Sequence, residues 1–297
     1  MININQYFTF YCYALVLIIA FIMAGCGPKN GSLSEKSESK ERDAMAVSDE
    51  VLKTLRGSEI TKQLHSSGEF FHREVLNDIS RTNQYLLVSN KAVAAANLGI
   101  YMSDLGYLIE FENIDAGRYF DACLLLADYA GVKKQFSNAI ELRFQEIISG
   151  NEAIEKSVGL AFKDSENTSG GEEFKKLHAA ALTGYYFEEL YHLVTIVKLY
   201  ENKNLTDTTS QVVRAALHSL LNQKQEINNL VRYYDHIKLQ PKGIILYQDL
   251  LRMQAKYQTL EIDRMVNESD LIAILQDKNV KEIVDFITTI RDGITNL

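Results

Sequence analysis

Proline is nearly absent from this chain, and its scarcity restricts the fold strongly. Only Pro28 and Pro241 occur among 297 residues, so long stretches lack the residue that most reliably breaks a helix. Those stretches carry apolar residues at spacings of three and four, with few strand-like alternations, which is the period of an amphipathic helix. The pattern predicts an all-α protein, a multi-helix bundle in which short connections join antiparallel neighbours.

The periodic segments, together with the residues that cap or end helices, predict where the helices lie. Gly131 and Gly150 suit helix C-termini, and Asp115 and Asp207 suit N-caps. We expect helices near 48–66, 80–112, 115–130, 134–149, 151–163, 171–201, 207–236, 242–267 and 270–293.

Two of these segments share a sequence pattern. AAANLGIYMSDLGYLI, at 94–109, aligns without gaps with AAALTGYYFEELYHLV, at 179–194. Each contains a glycine, Gly99 or Gly184, which costs a helix interior about 1 kcal/mol relative to alanine and therefore needs a reason. Small residues at four-and-three spacing surround the first glycine: Ala92, Ala96, Ser103 and Gly106. This short internal repeat predicts two helices in equivalent roles that cross at Gly99 and Gly184.

The first 26 residues resemble a targeting segment. The run from Tyr7 to Ala24 is apolar and ends in Ala24-Gly25-Cys26, which matches a secretory h-region followed by a cleavage site. It resembles the lipobox of bacterial lipoproteins, and that resemblance implies acylation of Cys26 and cleavage just before it. The alternative is an uncleaved transmembrane helix, since about 18 apolar residues span a bilayer.

The expected domain organisation follows from this segment. Residues 1–25 are predicted to be a lipoprotein signal peptide, 26–47 a flexible polar tether and 48–297 an all-helical domain. The implied partner is a membrane, reached through the N-terminal lipid. Gly27 follows the cysteine where an aspartate would signal retention, so the resemblance implies the outer membrane, facing the periplasm or the cell surface.

Charge and cysteine content exclude some classes of protein. The net charge is −8 and no basic stripe occurs, so nucleic acid is not expected as a partner. Cys12 and Cys26 belong to the targeting segment, which leaves Cys123 alone in an apolar run. We expect it to be a buried thiol without a disulfide.

A second resemblance lies inside the repeat. NLGIYMSDLGY, at 97–107, with Lys91 and Tyr85 upstream, resembles a motif of the form LGVYGADLxY in a group of uncharacterised bacterial lipoproteins. The resemblance runs loosely from Leu52 to Tyr191. It implies a helical fold and lipoprotein status, and it implies no activity.

Two Glu-x-x-His pairs raise the hypothesis of a metal site. Glu69 with His72, and Glu189 with His192, have the spacing by which helical bundles present a carboxylate and an imidazole to iron or manganese. Further candidate carboxylates are Asp104, Glu110, Glu141 and Glu146. Such pairs also arise by chance in acidic helices, so the preferred interpretation is a surface or hydrogen-bonded histidine, with no metal or other cofactor.

The repeat also suggests a ligand site. Asp104 and Glu189 occupy equivalent repeat positions, as do Tyr101 and Tyr186, and a groove between the two helices would bring these side chains together. The alternative is a core in which tyrosine hydroxyls and carboxylates bond to their neighbours. No nucleophile motif or phosphate-binding loop occurs. The sequence thus favours a non-enzymatic binding or structural module that meets a small molecule or an envelope protein; the alternative is a carboxylate/histidine metalloprotein or enzyme.

Overall fold

The computed structural model describes residues 57–87, 90–133, 172–201, 205–236, 245–260 and 271–296, all within one compact unit. Every regular element in these ranges is a helix, which confirms the all-α multi-helix bundle. The α-helices are α1 (Gly57–Ser66), α2 (Thr82–Tyr85), α3 (Lys91–Glu110), α4 (Ala116–Ala130), α5 (Glu172–Tyr200), α6 (Asp207–Leu221), α7 (Lys224–His236), α8 (Ile245–Gln258), α9 (Leu271–Gln276) and α10 (Lys278–Thr295). Two 3₁₀ turns, Arg73–Val75 and Ile79–Arg81, precede α2.

Three predicted helices are each divided in the structure. Asn90 caps α3 by accepting from the backbone of Ala92 and Val93, so the predicted helix 80–112 begins anew there. The predicted helix 207–236 divides into α6 and α7, and Asp277 caps α10 within the predicted 270–293. A side chain that satisfies free N–H groups starts a new helix without proline. The predicted helices 134–149 and 151–163 lie outside the described residues.

The caps match the sequence in part. Gly131 ends α4 in the left-handed conformation, with φ of 81°, as predicted for a helix C-terminus. Asp115 stands at the start of α4 without a capping hydrogen bond from its side chain. The cap of α6 is Thr206 and not Asp207, because Thr206 and Thr209 form a reciprocal capping box.

The glycines of the repeat lie at the crossing of α3 and α5, as predicted. A Cβ added at Gly99 would lie 1.9 Å from the carbonyl oxygen of Ala181, and one added at Gly184 would lie 2.0 Å from that of Ala96. Both distances are far shorter than any contact that a real Cβ makes. The two backbones therefore touch, and each glycine packs on an alanine of the other repeat copy.

The central helices α3 and α5 run in the same direction. Their first turns line one cavity, and beyond the crossing Ser103 bonds to Glu189 and Asp104 bonds to His192. The next helix in sequence, α4, is antiparallel to α3 instead: Lys91 reaches Gly131 while Tyr101 packs on Tyr119, so α4 folds back along α3. The repeat thus builds a parallel pair that the other helices surround.

Among the described residues, α3 is the helix that is long and apolar enough to span a membrane by length and composition. Within the fold, 83% of that window is buried. Its neighbours are α4, α5 and α1, so its hydrophobicity is accounted for by its place at the centre of the core.

Candidate functional site

A layer of buried polar side chains follows the crossing on both central helices. Asp104 on α3 and Glu188 and His192 on α5 are at most 1% exposed. His192 Nε2 lies 3.1 Å from Asp104 Oδ1 and 3.7 Å from Glu188 Oε1. Glu188 and His192 are four residues apart, which places them on one face of α5. We call Asp104, Glu188 and His192 the acidic trio.

Two side chains from distant parts of the chain hold the carboxylates of the trio. The backbone N–H and side-chain amide of Asn77 donate to Asp104 Oδ2, at 3.0 and 2.8 Å, and the same amide donates to Glu188 Oε1 at 2.9 Å. Arg291 on α10 donates from Nε to Glu188 Oε2 at 3.3 Å and from its terminal nitrogen to the Asn77 side-chain oxygen. The described donors thus hold Asp104 through the oxygen away from His192, and they hold Glu188 through both of its oxygens, including Oε1, which faces His192.

Burial and charge act against each other in this layer. Burial raises the pKa of Glu188 to about 7, even though Arg291 favours its ionised form. Burial alone would lower the pKa of His192, but the hydrogen bond to Asp104 and the charge of Glu188 outweigh it and raise that pKa. The layer therefore favours positive charge beside His192 Nε2, the atom that faces both carboxylates.

A second polar cluster lies on the far side of Tyr107. Glu69 Oε1 accepts from the backbone of Phe70, from the Tyr200 hydroxyl at 3.0 Å and from His72 Nε2 at 2.8 Å. The Tyr107 hydroxyl accepts from the backbone N–H of His72, and its ring lies 5.3 Å from that of His192. The Glu69–His72 pair thus bonds within itself and to Tyr200, and Tyr107 lies between it and the trio.

The residues of the predicted ligand groove are all buried, and the described contacts take them in different directions. Tyr101 donates to the Asp78 carbonyl and packs on Tyr85 and Tyr119. Tyr186 packs on Phe187. Asp104 joins the trio, whereas its repeat partner Glu189 accepts from Ser103 at 2.9 Å.

The structure separates the predicted metal residues into different groups. His192 pairs with Glu188 and Asp104, Glu189 accepts from Ser103, and Glu69 pairs with His72. Glu110, a further candidate, bonds to the exposed His65. Glu141 and Glu146 lie outside the described residues, as does Cys26. Cys123 is buried and free, as expected.

Sequence reasoning missed three members of the polar layer. Glu188 stands four residues before His192, so a search at four-residue spacing, rather than three, would have found it. Asn77 and Arg291 are separated by 214 residues, and nothing local marks either of them.

A cavity of about 430 Å³ opens at the other end of the central pair. Its walls are mainly apolar side chains from α3, α5, α8 and α10: Val93, Ala96, Leu177, Ala180, Leu246 and Ile294. Charged side chains at its edge come from α5 and α8: Glu173, Lys176, Asp249 and Arg252. Its size falls within the ordinary range of ligand pockets, about 300–1,000 Å³.

The cavity and the trio lie on opposite sides of the crossing. Ala96 and Ala180 line the cavity, and Asp104 and Glu188 follow the crossing glycines by one turn. Comparisons of the chain with protein-family models, with curated proteins and with solved structures find no match.

Proposed function

We propose that this is a lipid-anchored protein of the cell envelope whose helical domain is a non-enzymatic binding module for an apolar small molecule. The cavity between α3, α5, α8 and α10 is the observation that carries the proposal. It combines an apolar interior with a charged edge, which is the usual build of a site for a small organic ligand.

The walls of the cavity favour an apolar ligand. Alanine and glycine at Ala96, Ala180 and Gly293 leave space where larger side chains would fill it, and a Cβ added at Gly293 would meet no atom within 4 Å. A hydrocarbon chain or flat ring gains about 25 cal/mol for each Å² of apolar surface that it buries.

The edge of the cavity is balanced in charge. Asp249 and Arg252 form an ion pair at 3.3 Å, while Glu173 and Lys176 lie three residues apart on α5. Two cations and two anions leave no net charge, so the edge does not select a strongly charged head group. The ligand class is therefore an uncharged or zwitterionic amphiphile.

A side chain at Gly293 tests the cavity. Gly293→Leu should fill the space and reduce binding of a neutral fluorescent amphiphile, N-phenyl-1-naphthylamine, at least tenfold. Gly117→Leu is the matched control, because Gly117 also lies in a helix with nothing within 4 Å of an added Cβ and does not line the cavity. Equal binding by both variants and the native protein, or no saturable binding at all, would overturn the proposal.

Intact mass tests the anchor separately. We expect the native protein to begin at an acylated Cys26 and to fractionate with membranes, and Cys26→Ala to lose both the lipid mass and the membrane attachment. An uncut chain that stays in the membrane in both versions would instead make 7–25 a membrane-spanning helix. That result would remove the lipid and the outer-membrane assignment without affecting the cavity.

A further inference from the structure

We propose that the acidic trio binds one divalent transition-metal ion, held by Asp104 Oδ1, Glu188 Oε1 and His192 Nε2. One carboxylate comes from α3, and the other carboxylate and the imidazole come from α5. Their ligand atoms all lie within 4.8 Å of one another. This site is distinct from the cavity and does not depend on the proposed ligand.

The spacing of the three atoms suits a metal. Zinc lies about 2.0–2.2 Å from nitrogen and oxygen ligands, which places two tetrahedral ligands roughly 3.3–3.6 Å apart. The two measured separations from Nε2, 3.1 and 3.7 Å, bracket that value. The third distance, between Asp104 Oδ1 and Glu188 Oε1, is at most 4.8 Å. Even at that limit, a point about 2.4 Å from all three ligand atoms exists. Small side-chain adjustments then give ordinary bond lengths.

The surrounding donors have the arrangement of an outer coordination shell. Asn77 holds Asp104 through Oδ2 and also donates to Glu188 Oε1, which keeps a second lone pair for an ion, and Arg291 holds Glu188 through Oε2. The oxygens Oδ1 and Oε1 face His192. Hydrogen bonds of this kind orient metal-ligating carboxylates and are needed for full affinity.

The charges of the layer supply an independent reason. Asp104 and Glu188 are both fully buried. Arg291 pairs with Glu188, whereas the described donors to Asp104 Oδ2 are the neutral backbone and side-chain amides of Asn77. A divalent ion at Asp104 Oδ1 would therefore give Asp104 the cationic partner that Arg291 gives Glu188. Buried charges in proteins are paired or coordinate metals.

The ligand types narrow the identity of the ion. Imidazole favours zinc, iron, copper and nickel, whereas carboxylates suit harder ions such as manganese. One nitrogen and two oxygens therefore indicate a first-row divalent ion such as Zn²⁺, Fe²⁺ or Mn²⁺. Co²⁺ is the practical probe, since it accepts the same ligands and its visible absorption reports coordination number.

The experiment uses chelator-treated full-length protein incubated with Co²⁺ until the buried site equilibrates. We expect one Co²⁺ per chain with the visible bands of a four- or five-coordinate ion. His192→Gln and Glu188→Gln should weaken binding at least tenfold. Glu69→Gln is the control, because Glu69 is equally buried, also bonds a histidine and lies outside the trio.

Two outcomes would overturn the proposal: native protein that binds no stoichiometric Co²⁺, and His192→Gln that binds it as tightly as the native protein. If either trio variant fails to fold, anomalous scattering from cobalt-treated native crystals decides. An ion between Asp104, Glu188 and His192 supports the proposal. A cobalt-treated crystal with no ion there shows that the trio holds a proton and not a metal.

Discussion

The two ends of the α3–α5 pair follow the same repeat and have opposite environments. Before the crossing, both helices turn small and aliphatic side chains towards an apolar cavity. After it, they turn carboxylates and an imidazole towards each other. Backbone contact at Gly99 and Gly184 lies between the two ends. The difference shows that a shared packing pattern fixes how two helices approach and leaves each end free to take up different chemistry.

Two histidines on α5 show the same contrast. His178, towards the cavity end, is buried, and burial lowers its pKa to about 3. His192 is equally buried, and carboxylates raise its pKa. Burial is common to both, so the local charge decides the direction.

The largest expected effect comes from disrupting the crossing that separates the two ends. Gly99→Ala or Gly184→Ala should destabilise the protein by roughly 3 kcal/mol or more, because the added methyl must push a backbone carbonyl away and the packed core resists such overpacking. Helix propensity alone would favour alanine by about 1 kcal/mol, so the sign of the change is the test. Chemical denaturation of each variant measures it.

Gly117→Ala provides the opposite case. An added Cβ there meets nothing within 4 Å, so this variant should be neutral or more stable by up to about 1 kcal/mol. If Gly99→Ala and Gly117→Ala behave alike, the backbones do not touch at the crossing.

An effect of similar size should come from the polar end. Arg291→Gln removes the guanidinium that pairs with buried Glu188, and breaking a buried ion pair costs about 3–5 kcal/mol. Arg252→Gln, in an ion pair whose arginine side chain is 68% exposed, should cost at most about 1 kcal/mol. Unfolding free energies at neutral pH compare the two, and equal costs would show that the polar layer is not sealed from solvent.

The sequence predicts those features of the fold that depend on nearby residues better than those that depend on residues far apart in the chain. The crossing was predictable because Gly99 and Gly184 stand in a visible repeat, and close approach is a common reason for glycine within a helix. The sequence predicts two members of the acidic trio as candidate site residues, Asp104 and His192. It does not predict Glu188, because the repeat aligns Asp104 with the adjacent Glu189. Helix geometry alone does not decide which of two adjacent glutamates turns inward, since they lie about 100° apart on the helix.

Other features had no local signal at all. Asn77 lies between two 3₁₀ turns and meets Glu188 and Arg291 across 111 and 214 residues. The breaks at Asn90 and Asp277 depend on single side-chain caps in otherwise helical sequence. Tertiary packing determines these contacts and helix breaks, and they cannot be predicted from helix periodicity.

Acid should destabilise the cavity end through His178. Its pKa is about 3 when folded and 6.5 as the reference for the unfolded chain, so the unfolded state binds the extra proton between those values and stability falls as the pH falls. Between pH 7 and pH 4.5 this amounts to about 2–3 kcal/mol at 1.36 kcal/mol per pKa unit.

His178→Gln removes this contribution and keeps an oxygen able to bond the Tyr233 hydroxyl. The fall in stability between pH 7 and pH 4.5 should shrink by that amount relative to the native protein. His218→Gln, at an exposed site on α6, should leave the fall unchanged. An identical pH dependence in all three proteins would mean that His178 is reached by solvent.

The smallest predicted effect concerns Ser103, one of the small residues around Gly99 on α3. Ser103 donates to Glu189 at 2.9 Å in a buried setting at the polar end. Ser103→Ala keeps the packing and removes the donor, so it should cost about 1–2 kcal/mol, in the lower part of the range of about 1–3 kcal/mol for depriving a buried acceptor of its donor. Ser219→Ala, whose hydroxyl bonds Gln63 at an exposed site, should cost less than 0.5 kcal/mol, roughly the limit for surface changes. Paired denaturation curves measure the difference; a neutral Ser103→Ala would show that Glu189 finds another donor, and that the polar end tolerates rearrangement where the crossing does not.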